Sequence, residues 1–270
     1  FALAPRRVTL SDDDAARTPR APSRGNTDVT EGGATDSYTL VLTSQPTANV
    51  SIALTGTQVT ASPTPIVFTT ANWNVAQTIA VTAIDDAIAE GAHSGSISSV
   101  VTSSDANYQG FALAPLSVTI TDDDTVGITL VQSAGNTAVA EGGATDSYTL
   151  VLTSQPSANV SIALSGTQVI PSPTPVVFTT ANWNTPQTVT VTAIDDAIAE
   201  GAHSGSVTSV VTSGDANYQG FALAPLSVSI TDNDTAGVVL VESGGNTAVT
   251  EGGATDSYTL VLSSQPTANV

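Results

Sequence analysis

The chain repeats itself with a period of 110 residues. The segment "EGGATDSYTL" begins at Glu31, Glu141 and Glu251, and "FALAP" begins at Phe1, Phe111 and Phe221. Residues 31–124 and 141–234 differ at only 14 of their 94 aligned positions. A period of this length is too long for a solenoid unit that leans on its neighbours, and it matches the size of a self-sufficient domain. The sequence therefore predicts a tandem array of near-identical domains.

Two nearly complete repeats are expected, at 15–124 and 125–234, within a longer parent array. Residues 1–14 are predicted to be the C-terminal strand of a preceding repeat, and residues 235–270 the N-terminal part of a following one. The first strand of repeat 15–124 is expected to be missing or changed, because "AARTPRAPSR" replaces the "TVGITLVQSA" of the next repeat. A boundary in the array and a reading-frame error both explain that stretch. A genuine stretch would leave a sheet edge exposed to another chain.

Within each repeat, short segments alternate apolar residues with Ser or Thr, the period of half-buried strands. In the second repeat the predicted strands A to G lie at 126–132, 146–153, 159–164, 174–179, 187–194, 205–212 and 226–231. Seven antiparallel strands in about 100 residues, without any helical period, predict an all-β fold of immunoglobulin-like sandwiches. The aromatic residues are singly spaced and are predicted to pack in the core: Tyr148, Phe178, Trp183, Tyr218 and Phe221.

The charge of the chain excludes several classes of partner. The formal net charge is −19, there is no Cys and no Lys, and all five Arg residues fall within the first 24 positions. Residues 25–270 therefore contain 21 acidic side chains, and His93 and His203 are their only side chains that can become cationic. Binding to phosphate depends on Lys and Arg, so we expect neither nucleic acid nor an anionic membrane surface as a partner. No apolar run is long enough for membrane insertion.

Strand parity predicts where the acids meet. If successive strands run up and down, strands A, E and G all end at the same pole of the sandwich. Acidic residues follow each of these strands, in the first repeat at Glu31, Asp85, Asp86, Glu90, Asp122, Asp123 and Asp124, and in the second at Glu141, Asp195, Asp196, Glu200, Asp232 and Asp234. Such a cluster repels itself, and calcium, which takes six to eight oxygen ligands, is the cation that suits it. Zinc is disfavoured by the absence of Cys and by the single His of each repeat.

Four segments resemble the Calx-beta domain: "EGG", "FTTANWNTPQTVTVTAIDD", "AIAEGAHSG" and the terminal "TITDDDT" or "SITDNDT". The resemblance covers the whole 110-residue unit. It implies a calcium-binding sandwich whose ions sit at the C-terminal pole beside the next domain, on the acids named above. Asn233 departs from the triple aspartate of the first repeat and is expected to assist at the ion site. This departure, together with the lack of further acids after Glu90, implies fewer or weaker ions than the richest members of the family bind.

These features predict a non-enzymatic array outside the cell or on its surface, such as a fibre, filament or adhesin stalk rigidified by Ca²⁺ at inter-domain junctions. The expected partners are neighbouring repeats and, through self-assembly, further copies of the chain. An adhesion module that grips a glycan or a surface protein is the alternative. A glycosidase built on Asp85, Asp86 and Glu90 is disfavoured, because the same acids recur in the next repeat. Asp105 and Asp215 are expected at the opposite pole, as candidates for an extra ligand.

Overall fold

The computed structural model describes residues 18, 20–22 and 26–270, with the backbone alone at 20–22. The strand of a preceding repeat predicted at 1–14 lies outside these residues. The chain divides into two compact units, 1–124 and 125–270. Every regular element in the described part of the chain is a strand, and within that part no helix could cross a membrane.

Unit 1 forms two sheets from nine strands among its described residues. The strands are β1 (Arg20–Pro22), β2 (Asp28–Thr30), β3 (Asp36–Leu40), β4 (Val50–Thr57), β5 (Val59–Ser62), β6 (Ile66–Phe68), β7 (Gln77–Ala83), β8 (His93–Ser103) and β9 (Leu116–Thr121). One sheet has the order β1-β3-β7-β5, and the other has the order β2-β9-β8-β4-β6.

Unit 2 contains the same arrangement and an additional hairpin. Its strands are β10 (Ile128–Gln132), β11 (Thr137–Ala140), β12 (Asp146–Leu152), β13 (Val160–Thr167), β14 (Val169–Ser172), β15 (Val176–Phe178), β16 (Gln187–Ala193), β17 (His203–Ser213), β18 (Leu226–Thr231), β19 (Val238–Glu242) and β20 (Tyr258–Leu262). The sheets have the orders β10-β12-β16-β14 and β11-β18-β17-β13-β15, and β19 pairs with β20.

The predicted all-β sandwich is confirmed. In β7 the side chains of Ile79 and Val81 are fully buried between the sheets, while the alternate residues Thr78 and Thr82 face solvent. The aromatic residues pack as expected, with Tyr148, Phe178 and Tyr218 buried in the core of unit 2 and with Trp183 and Phe221 packed against that core. The apolar alternation read from the sequence is therefore the inner face of each sheet.

The seven strands predicted for the second repeat are all present, and two short strands were not foreseen. One is β11, which pairs with β18 in parallel, so one sheet of each unit is not wholly antiparallel. The other is β14, which follows a tight turn at Gln168, whose φ is 58°. Both strands have only four residues, too few for a period of two to stand out in the sequence.

The first strand of unit 1 is present in shortened form. β1 pairs with β3 over three residues, with Arg20 opposite Leu40 and Pro22 opposite Tyr38. The expected exposed edge is therefore covered along these residues of β3. Strand pairing uses backbone groups, so a stretch without apolar alternation can still pair. Pro22 is tolerated because β1 is an edge strand, where a missing N–H costs little.

Candidate metal centre

Each unit carries an acidic pole. The pole of unit 1 comprises Glu31, Asp85, Asp86, Glu90, Asp122, Asp123 and Asp124, and the pole of unit 2 comprises Glu141, Asp195, Asp196, Glu200, Asp232, Asn233 and Asp234. The structure thus brings each set of predicted residues together at one end of its own sandwich. Their role as metal ligands stays a prediction.

Glu31 occupies the centre of the first pole. It follows β2 directly, and its backbone N–H donates to the carbonyl of Thr121, the last residue of β9, over 3.0 Å. The parallel pairing of β2 with β9 therefore places Glu31 beside the aspartates 122–124. Glu31 is only 2 % exposed, and its Oε2 has no hydrogen-bond partner. An unpartnered buried carboxylate oxygen is costly unless a cation or a proton compensates it.

The aspartates 122–124 surround Glu31 in a turn. Asp122 is held in place by the backbone, because its Oδ1 accepts from the N–H of Asp124 over 2.8 Å and its Oδ2 accepts from the N–H of Gly91 over 2.6 Å. Asp124 keeps a buried Oδ2 without a hydrogen-bond partner. One carboxylate oxygen from Glu31 and one from each aspartate all lie within 4.8 Å of one another. Four oxygens this close can share a calcium ion.

Gly32 leaves room for the carboxylates of Asp123 and Asp85 near the centre. Its φ of +57° is a left-handed conformation that suits glycine. A Cβ at this position would lie 2.9 Å from Oδ2 of Asp123 and 3.5 Å from Oδ2 of Asp85. The "EGG" segment thus provides the central carboxylate at Glu31 and, in the next residue, the space for its neighbours.

The loop after β7 is anchored by Gln58. The carbonyl of Gln58 accepts from the N–H of Ile84 over 3.0 Å, and its Nε2 donates to Oε2 of Glu90 over 3.2 Å. Within the loop, Oδ1 of Asp86 accepts from the N–H of Ile88 over 2.7 Å. These bonds hold both ends of the acidic loop over the pole.

The pKa values of the pole show which groups lack a positive partner. Burial, followed by the negative charge of Asp86, raises the pKa of Glu31. Burial, followed by the charges of Asp122 and Asp123, raises the pKa of Asp124. Burial also opposes ionisation of Asp122, but the backbone N–H groups that it accepts from outweigh this effect and lower its pKa. Glu31 and Asp124 are therefore the carboxylates that a cation would stabilise most.

The second pole reproduces this arrangement. The N–H of Glu141 donates to the carbonyl of Thr231 over 3.0 Å, and Oε2 of Glu141 and Oδ2 of Asp234 are buried without a hydrogen-bond partner. Oxygens of Glu141, Asp196 and Asp234 lie within 4.8 Å of one another. Burial, followed by the charge of Asp232, raises the pKa of Glu141.

Asn233 changes the electrostatics of the second pole. Its Nδ2 donates to Oδ1 of Asp195 over 3.1 Å and to the carbonyl of Glu141 over 3.3 Å. One aspartate of this pole thereby gains a neutral donor, where the first pole has the carboxylate of Asp123 instead. The second pole therefore needs less positive charge than the first.

His93 and His203 also belong to the poles, although neither was named as a metal ligand from the sequence. Nε2 of His93 lies 3.4 Å from Oε1 of Glu31 and 3.4 Å from Oε2 of Glu90. Nε2 of His203 lies 3.7 Å from Oε1 of Glu141 and 3.3 Å from Oε2 of Glu200. The carbonyl of Gly201 raises the pKa of His203, burial opposes this, and the two glutamates add to the rise. The available signal was the position of each His, three residues after Glu90 or Glu200 at the start of a strand.

Asp105 and Asp215 accept backbone hydrogen bonds with both carboxylate oxygens, and their role as extra ligands stays a prediction. Oδ2 of Asp215 accepts from the N–H of Ser157 over 2.7 Å, and Oδ1 accepts from the N–H of Asn217 over 2.8 Å. Asp105 makes the equivalent bonds. Burial works against ionisation of Asp215, but the backbone donors prevail and lower its pKa. Both aspartates serve to join two loops of their own unit.

No protein-family model and no curated protein sequence matches the chain. Among solved structures, the D0-D1 domain of intimin shares 14% identity, with 78% of this chain and 96% of that chain covered and a TM-score of 0.26. The calcium binding domain CBD12 of CALX1.1 shares 15% identity, with 72% of this chain and 80% of that chain covered and a TM-score of 0.29. The CsuC-CsuE complex of Acinetobacter baumannii pili shares 14% identity, with 80% and 99% covered and a TM-score of 0.30. Likeness at this level does not identify a function.

Proposed function

We propose that this chain is a non-enzymatic segment of an extracellular fibre, filament or adhesin stalk, whose acidic poles bind calcium. The observation that carries the proposal is the pair of buried, unpartnered oxygens in each pole, Glu31 Oε2 with Asp124 Oδ2 and Glu141 Oε2 with Asp234 Oδ2. Calcium prefers carboxylate ligands and tolerates irregular geometry. Glu31 and the aspartates 122–124 would hold the ion in unit 1, and Glu141, Asp196 and Asp234 would hold it in unit 2.

The position of the first pole in the chain supports a mechanical role. Asp124 is the last residue of unit 1, and unit 2 begins at Thr125. When the aspartates 122–124 are tied to Glu31 and to the loop after β7 through a shared ion, the chain that leaves the unit loses freedom. Repeated along an array, such fastening would stiffen a string of sandwiches. The acidic side chains would bind the ion and hold it in place. The ion would supply positive charge to a part of the chain, residues 25–270, that has no Lys or Arg.

The extracellular location follows from the same requirement. A site that binds calcium at millimolar concentration is filled outside the cell, where the ion is abundant, and extracellular modules commonly bind in this range. Binding to the folded state alone adds stability of RT ln(1 + [L]/Kd), which is about 0.4 kcal/mol when calcium equals Kd and about 2.7 kcal/mol in a buffer with calcium at 100 times Kd. For domains of this size, that corresponds to a rise in melting temperature of roughly 10 °C or more.

The test is thermal unfolding of the full chain in EDTA and in excess CaCl2, with small-angle scattering in both buffers. We expect calcium to raise the melting temperature and to narrow the distribution of particle lengths. In the double variant Glu31→Gln, Glu141→Gln the calcium response should be lost, and the protein in EDTA should melt no lower than the parent. Glu242→Gln removes an acid that belongs to neither pole and should respond to calcium as the parent does. Equal melting of the parent chain in both buffers would rule the proposal out.

A further inference from the structure

The imidazole rings of the two poles are oriented by a backbone carbonyl. Nδ1 of His93 lies 2.9 Å from the carbonyl oxygen of Gly91, and Nδ1 of His203 lies 2.9 Å from that of Gly201. A carbonyl oxygen can only accept, so Nδ1 carries the hydrogen in both rings. In the neutral ring the lone pair then resides on Nε2. Metal-binding histidines are oriented in this way, with the other ring N–H donated to a carbonyl or carboxylate.

Nε2 of each ring lies between a buried glutamate, Glu31 or Glu141, and an exposed one, Glu90 or Glu200. In both units the atom is buried and has no hydrogen-bond partner. The neighbouring glutamate is buried as well, with the Glu31 side chain 1 % exposed and the Glu141 side chain 2 % exposed. Each unit thus directs one imidazole nitrogen and two carboxylates at the same point, and their ligand atoms lie within 4.8 Å of one another.

The separations fit a shared metal ion better than hydrogen bonds. The four distances from Nε2 to glutamate oxygens are 3.4 and 3.4 Å in unit 1 and 3.7 and 3.3 Å in unit 2. Charge-assisted N–H···O bonds are about 2.7–2.9 Å long. Ligand atoms that lie about 2.0–2.1 Å from a tetrahedral zinc ion are roughly 3.3 Å from one another. The separations from Nε2 to the two glutamate oxygens in each unit are therefore close to the edges of a zinc tetrahedron.

We propose that each acidic pole contains a transition-metal subsite, formed by Glu31, Glu90 and His93 in unit 1 and by Glu141, Glu200 and His203 in unit 2, that binds Zn²⁺. Ligand types alone disfavour zinc in the sequence, but the structure supplies three converging ligands and leaves the fourth position to water. Imidazole nitrogen is a ligand for zinc, whereas calcium takes oxygen. The subsite therefore differs in metal preference from the oxygen pocket that contains the aspartates.

Glu31 links the subsite to the oxygen pocket. Its Oε1 faces His93, while its Oε2 remains without a partner, and Glu31 also belongs to the oxygen cluster of the aspartates 122–124. Glu141 holds the same place in unit 2. The zinc subsite does not require calcium binding, but the two ions would share one carboxylate and bind side by side.

The rival explanation is that each His is simply an imidazolium that offsets nearby carboxylates. The two explanations differ in the outcome of a zinc titration. A counter-ion histidine adds no metal affinity, and its removal leaves more negative charge, so the variant without it would bind zinc at least as tightly. A ligand histidine contributes affinity, so its removal weakens zinc binding even though the net charge of the pole becomes no more positive.

The experiment is calorimetric titration of the full, metal-free chain with ZnCl2 at pH 7.5, in excess CaCl2 so that oxygen pockets are filled. We expect two zinc ions per chain. The double variant His93→Gln, His203→Gln should bind zinc at least 100-fold more weakly, while Glu242→Gln should match the parent. The variant's circular dichroism and melting in EDTA establish that it is folded.

A second readout is the ¹⁵N chemical shift of Nε2 in the parent chain, which should change far more on addition of zinc than on addition of calcium, because only zinc bonds to the nitrogen. Unchanged zinc affinity in the folded double variant, or a parent chain that binds no zinc, would overturn the inference. The result is separable from the proposed function, because calcium-dependent melting is retained if only the zinc subsite is wrong. Zinc binding is likewise retained if only calcium binding is wrong.

Discussion

Nδ2 of Asn233 lies 3.1 Å from Oδ1 of Asp195 and donates a hydrogen bond to it. One repeat earlier, the equivalent position is Asp123, whose Oδ2 approaches Gly32 together with the carboxylate of Asp85. The two units have nearly the same sequence, but at this position the second pole has a hydrogen-bond donor, Asn233, and the first has an acceptor, Asp123. The first pole has more ligand oxygens and more repulsion, and the second is partly neutralised from within.

Exchanging these two residues should exchange the behaviour of the poles. Asn233→Asp adds a carboxylate beside Asp195, so we expect it to lower the melting temperature in EDTA and to increase the stabilisation by calcium. Asp123→Asn should have the opposite effects. Each change is expected to alter the free energy of unfolding by about 1 kcal/mol in EDTA, the scale of a single hydrogen bond or close charge pair. Calorimetry in both buffers measures it, and shifts of the same sign for both variants would contradict the assignment.

Gly32→Ala should damage the first pole specifically. Its positive φ strains any other residue, and the new Cβ would lie 2.9 Å from Oδ2 of Asp123. Gly110→Ala is a matched control, because Gly110 has a similar φ of +68° but open space around its Cβ position. Both variants should lose about 1 kcal/mol from backbone strain.

Only Gly32→Ala should also weaken the response to calcium, by displacing the Asp123 carboxylate. Titration of the melting temperature with CaCl2 separates the two effects. An equal calcium midpoint for the two glycine variants would mean that Asp123 takes no part in binding.

The stability of the metal-free chain should fall as pH rises from mild acid. The pKa values of Glu31, Glu141 and His203 are raised in the folded state. The folded chain then holds more protons than the unfolded chain, so the free energy of unfolding decreases with pH from about 4.3 upward for the glutamates and from about 6.5 upward for His203.

The groups with lowered pKa values affect stability at acidic pH. Asp122 and Asp215 stabilise the fold when ionised, and this contribution is lost as pH falls below about 3.9. Urea unfolding in EDTA should therefore show a maximum near pH 5. In excess CaCl2 the decline toward pH 8 should be reduced or reversed, because deprotonated carboxylates bind the ion. Rising stability from pH 5 to 8 in EDTA is the result that would refute this.

Asp215→Ala should destabilise unit 2 without touching the metal response. The change removes the acceptors of two partly buried hydrogen bonds from the backbone N–H groups of Ser157 and Asn217. Loss of such bonds costs about 2 kcal/mol. Chemical unfolding measures the loss, and an unaltered gain in stability on addition of calcium serves as the internal control. If the variant gained a different amount of stability from calcium than the parent, Asp215 would be a ligand of the ion.

Much of the architecture was predictable because strand periodicity and turns are local properties. The alternation in "QTVTVTA" indicates a strand with one buried face, and 187–193 forms β16 with Val189 and Val191 fully buried. Strand parity likewise predicted that Glu141, Asp196 and Asp234 meet, since the ends of parallel-running strands share a pole. The tandem domain boundaries and the metal ligation itself stay predictions.

The charge balance of this protein was determined by the sequence alone: with Arg confined to the first 24 residues, no Lys or Arg side chain is left in residues 25–270 to answer its acids. Which acids lack a partner was decided by the tertiary structure. The crossing of the chain from one sheet to the other places Glu31 beside Thr121, and a backbone carbonyl turns His93 toward Glu31. Asp105 is also an acidic residue, but both of its carboxylate oxygens accept hydrogen bonds from backbone N–H groups. The contacts of Glu31 with Thr121 and of Asp105 with Thr47 join residues distant in sequence, so no local pattern of residue types encodes them.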